Sequence, residues 1–113
     1  MVYSPGDFLD KYSILSIKKK KGLDVNDELD FCKEEFVGLT KSSRVDNVYM
    51  ELYESNLFQF ELEDKIRVEK DLATVGQIAL DIRKQNDYRV HLKNKINEIC
   101  QYKFLEQKDY KRA

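Results

Sequence analysis

The sequence predicts an all-α fold, an antiparallel helical bundle in which a long helix 3/helix 4 hairpin packs against helix 1 and a short helix 2. Three observations carry this. Glycine and proline are scarce, four and one in 113 residues. No segment alternates apolar and polar residues cleanly over six positions, as a half-buried strand would. The punctuation that does occur is the punctuation of helix ends.

The first helix is expected over about residues 5–21. In "SPGD" Ser4 is an N-cap, Pro5 suits the first helical position and Asp7 closes a capping box. Gly22 is a good C′ residue. Apolar residues lie on several sides of "FLDKYSILSIKKKK", which implies enclosure by neighbours. The second helix, about 25–39, carries Leu29, Cys32, Phe36 and Leu39 at helical spacing, with Asp24 or Asn26 as its cap. "TKSSR" is a polar break. Helix 3 is expected over about 45–70 and helix 4 over about 75–100, the latter opened by a Thr74–Gln77 capping box. Each would be about 39 Å long at 1.5 Å per residue. Two equal helices joined by a short turn lie antiparallel. The tail 101–113 offers Tyr102, Phe104, Leu105 and Tyr110 as anchors for packing back onto the hairpin. The length suits one domain.

Composition narrows the function classes. Twenty basic residues oppose twenty-one acidic ones, a net charge of -1, so no global field draws the protein to nucleic acid or an anionic membrane. "IKKKK" reads as a solvated helix end. No secretory leader or membrane-length apolar run is present, so a cytoplasmic protein is expected, binding neither nucleic acid nor membrane. Cys32 and Cys100 lack C-x-x-C spacing and read as buried thiols. A single His91 founds no histidine metal site. Glu61/Asp64 and Glu51/Glu54 have the i, i+3 spacing that can hold magnesium, but such pairs recur by chance in an acid-rich chain, and no metal or cofactor is expected.

The informative residues are polar ones on apolar stripes. At about 100° per residue, Asn86, Arg89 and Lys93 fall among Val75, Ala79, Ile82 and Ile96 on helix 4. On helix 3, Asn56, Gln59, Glu63 and Arg67 fall among Leu52, Phe60 and Ile66. A turn near 71–73 pairs positions summing to about 144, so Gln59 meets Asn86 and Asn56 meets the level of Arg89. Lys11 and Lys18 share a row of helix 1 with Ile14, and Asp10 is one step away. The candidate layer is therefore Lys11, Lys18, Asn56, Glu63, Arg67, Asn86, Arg89 and Lys93. Buried polar groups without partners cost about 1–3 kcal/mol each. Something anionic should sit between Arg89 and Lys93. It could be an internal carboxylate (Glu63, Asp64, Asp87 or Asp10), a bound carboxylate or phosphate, or a group from another copy of the chain.

Four stretches, "GDFLDKYSILSIK", "NLFQFELEDKIRVEK", "NDYRVHLKNKINEI" and "EQKDY", resemble in order the motifs of a family of short bacterial and phage proteins of unknown function. The family pattern has Trp where Phe60 stands and an aliphatic residue where Phe8 stands, and helix 2 matches poorly. The resemblance implies a helical, cytoplasmic, bacterial or phage protein and brings no activity, substrate or catalytic residue with it. Its motif polar positions include Asp10, Lys11, Lys18, Asn56, Glu63, Asp64, Arg67, Asn86, Asp87, Arg89, Lys93 and Asn97, with Glu106, Lys108 and Tyr110 in the tail. The expected function is a non-catalytic interaction or assembly module acting as a homodimer. The alternative is a binding protein or enzyme for a small anionic ligand held in the polar layer.

Overall fold

A computed structural model describes residues 3–102, and the described chain is four helices with no strand. The expected packing of Phe104, Leu105 and Tyr110 lies outside the described residues. Helix α1 spans Pro5–Lys20, capped by Ser4, whose hydroxyl accepts from the Asp7 amide. It ends in a Schellman turn: the Leu23 amide donates to the Lys18 carbonyl and the Gly22 amide to that of Lys19. Gly22 sits at φ 92°, where a side chain would be strained.

Helix α2 spans Asn26–Thr40, and none of its residues is fully buried. It is held by one edge. Cys32, Phe36 and Leu39 pack on the core, and the Phe36 ring stacks on Tyr12 at 4.0 Å and meets Tyr49 edge-on at 5.0 Å. Aromatic pairs in these geometries contribute about 0.5–1.5 kcal/mol beyond burial.

Helix α3 spans Ser43–Val68, beginning two residues before the expected start because the Ser42 hydroxyl accepts from the Val45 amide. Helix α4 spans Leu72–Ile99. Its cap is Asp71, not Thr74. The Asp71 carboxylate accepts from both the amide and the hydroxyl of Thr74, so the expected cap residue becomes the donor in the first turn. These bonds hold the exposed Asp71 carboxyl below its ordinary pKa. The α3–α4 turn thereby moves towards the N-terminus. Cross-helix bonds pair Ser55 with Gln85, Gln59 with Asn86 and Glu51 with Tyr88, close to the expected register.

The core lies where α1, α3 and α4 meet, built from Phe8, Leu9, Val45, Val48, Tyr49, Leu52, Leu92 and Ile96. Burial pushes the Tyr49 phenol up to about 12, against a lowering hydrogen bond with Ser16. The helices differ in reach. With 16 residues α1 is about 24 Å long, whereas α3 and α4, with 26 and 28, run to about 39 and 42 Å. Lys21, just past α1, reaches Asp64 and the Phe60 ring. Beyond that level the hairpin continues as two helices without α1 beside them.

Candidate functional site

Besides the apolar Phe8, Leu9 and Leu15, α1 buries the row Gly6, Asp10, Ser13, Ile17, at i, i+4, i+7 and i+11. Asp10 and Ser13 enter the core because α3 and α4 supply donors to meet them. The Asn56 amide nitrogen donates to Asp10 Oδ1 at 2.9 Å and to Ser13 Oγ at 2.6 Å, using both its hydrogens. Ser13 Oγ donates in turn to the Asp10 carbonyl at 2.7 Å. From α4, Arg89 Nη2 donates to Asp10 Oδ2 at 2.8 Å and Nε to Oδ1 at 3.4 Å. Asp10 is thus the anion the two-cation stripe requires, and it comes from within the chain. Lys93 has its own: Asp7, in the first turn of α1, lies 3.1 Å from its ammonium.

Around this centre the arrangement loosens towards solvent. Arg89 Nη1 also donates to Asn86 Oδ1, which accepts again from Gln59 Nε2, and Gln59 Nε2 donates to Glu63. Asn86 itself is exposed, at the rim. Ile14, Asn56, Gln59, Phe60, Glu63 and Arg89 line a cavity of about 160 Å³. Metabolite pockets run to about 300–1,000 Å³, so this one is small. Its one cation is already paired.

At the other end of α1 the helices touch. The Gly6 amide donates to Asn97 Oδ1 at 2.7 Å, and a Cβ on Gly6 would fall inside the radius of the Lys93 carbonyl. Asn97 is 1% exposed. Among the described residues its Nδ2 and Gln59 Oε1 are the buried side-chain atoms lacking a hydrogen-bond partner.

Of the eight expected layer residues, Asn56, Glu63, Asn86 and Arg89 come together and Lys93 stands beside them. Three do not join. Lys11 points the other way, over the Tyr3 ring at 5.3 Å. Lys18 is half-buried and forms no ion pair with the cluster. Arg67 is exposed and pairs with Asp64 on the surface. The expected row of α1 was one residue, about 100° of helix, away from the one that docks. Ser13, Gly6 and Asn97 were absent from the expected layer. The signal that finds them is the run of short side chains Gly6–Asp10–Ser13, which lets α1 approach its neighbours closely. Among the described residues no three His, Cys, Asp or Glu side chains gather as a metal site requires, and no helix is long and apolar enough to cross a membrane.

No family model, curated protein or solved structure matches the chain.

Proposed function

We propose that the protein is a non-catalytic interaction module that works as a homodimer, the hairpin end beyond α1 forming the contact between copies. The observation that carries this is the continuation of one row on α4. In its covered half the row reads Lys93, Arg89, Asn86, and α1 lies against it through Asp7 and Asp10. Towards the turn the same spacing continues as Ile82 and Val75, both half-buried, and Ala79 and Leu72, both exposed. Leu72 is 85% exposed and Val68, across the turn, 75%. Burying a Leu or Val side chain contributes about 1.5–3 kcal/mol. A second hairpin end laid antiparallel on this strip makes a local four-helix bundle with two-fold symmetry, the commonest closed arrangement of identical subunits.

The anionic-ligand reading has less behind it. Its premise was two cations in want of an anion, and Asp10 and Asp7 supply one to each.

Sedimentation equilibrium across a concentration series tests the proposal. A mass that rises to twice that of the 13.4 kDa chain supports it, and a monomer at every concentration overturns it.

A further inference from the structure

The far side of the molecule from the polar layer carries a groove of about 520 Å³ between α1 and α2. Its floor is apolar: Phe8 and Leu15 from α1, each nearly buried. One wall is Phe31 of α2, 91% exposed, the most exposed large apolar side chain among the described residues. The rim is acidic, formed by Asp27, Glu28 and Glu35 of α2. Lys11, the lysine on the opposite lip, lies over the Tyr3 ring.

Two features say what would fill it. Charge is unevenly spread. Residues 24–40 hold Asp24, Asp27, Glu28, Asp30, Glu34 and Glu35 against Lys33 alone, so in the rest of the chain basic residues outnumber acidic ones. The acidic field is thus a property of α2. Its carboxylates are also drawn out along the groove, since Glu28 and Glu35 are two helical turns, about 10.5 Å, apart, with Phe31 between them. A single amine would answer one end of that edge. A helix with apolar side chains at i, i+3 or i+4, and i+7, and lysines flanking them, answers the floor and both ends.

We infer that the α1–α2 groove is the docking site for a basic amphipathic helix of a partner protein. This rests on the reading of the chain as an interaction module but not on the contact between its copies. Apolar anchors enter beside Phe31 over Phe8 and Leu15, and flanking lysines meet Glu28 and Glu35. The acidic rim raises the encounter rate and selects basic over acidic partners.

The test is a titration of the full chain, by fluorescence anisotropy, with a synthetic helix of leucines on one face and lysines elsewhere. Two controls accompany it, one with every lysine made glutamate and one with the leucines scattered around the helix. The lysine peptide should bind, both controls at least about ten-fold more weakly, and added salt should weaken binding. Phe31→Ala, and Glu28→Gln with Glu35→Gln, should each weaken binding about ten-fold with helicity unchanged, because all three side chains are exposed. Equal binding of the glutamate peptide, or binding unmoved by these variants, overturns the inference. So does a change in oligomeric mass in the groove variants, which would make a second copy the occupant. A Leu72→Glu, Val75→Glu variant that still binds the peptide supports the groove even where the contact between copies is lost.

Discussion

Arg89 on α4 and Asp10 on α1 are joined by two hydrogen bonds, 2.8 and 3.4 Å long, with 21% and 11% of their side chains exposed. Breaking a largely buried pair from one side leaves an uncompensated charge and costs about 3–5 kcal/mol, and removing both partners costs less. Arg89→Met and Asp10→Leu should therefore each destabilise by about 3 kcal/mol, while the double variant loses clearly less than their sum. Urea denaturation of the four proteins checks it. Additive losses would show that the two residues do not act as a pair.

Glycine substitutions should separate by position. Gly6→Ala drives a methyl into the Lys93 carbonyl and displaces the Gly6–Asn97 bond, so a loss of about 1–3 kcal/mol is expected. Gly38 and Gly76 lie inside helices, and a methyl added at either would meet nothing within 4 Å. There alanine should stabilise by about 0.5–1 kcal/mol. Thermal melts give the sign of each change directly, and a harmless Gly6→Ala would refute the close approach of α1 to α4.

Stability should fall in alkali through Tyr49. Its phenol is raised to about 12 in the fold, chiefly by burial, whereas an unfolded tyrosine titrates near 10. A raised pKa means the unfolded chain releases its proton first, so this contribution is complete below about pH 10 and is lost as pH rises towards 12. Tyr12 and Cys100 are shifted in the same direction by desolvation. Tyr49→Phe should flatten the decline of the urea midpoint over this window. A slope identical to the native one would contradict the assignment.

Charges on the uncovered strip should dissociate the copies without unfolding them. Leu72→Glu with Val75→Glu places carboxylates where a second hairpin end would lie. The expected outcome is a monomer by light scattering, with an unchanged circular dichroism spectrum. An unchanged mass would move the contact elsewhere.

The helices were legible because their signals are local. Ser4 caps α1 and Gly22 closes it as the residues themselves imply, and the hairpin register follows from where the short turn falls. The layer was legible on α3 and α4, where Asn56 and Arg89 interrupt long stripes. On α1 it is not. Apolar residues surround that helix, so periodicity gives no single inward direction, and a short Ser13 fits the surface as well as the core. At the start of α4 both Asp71 and Thr74 fit a cap, and only the three-dimensional bonds decide which accepts. Phe31 falls about 100° off the row of Leu29, Cys32, Phe36 and Leu39, and the structure leaves it exposed.

The bond between Gly6 and Asn97 spans 91 positions of the chain, and the one between Asp10 and Arg89 spans 79. During synthesis, then, α1 emerges long before either partner exists. Asn56 of α3 can meet Asp10 and Ser13 first, but the Asp10 charge and the Gly6 amide wait in water until α4 has left the ribosome, so the docking of α1 on α4 is a late step of folding, however early that helix is made.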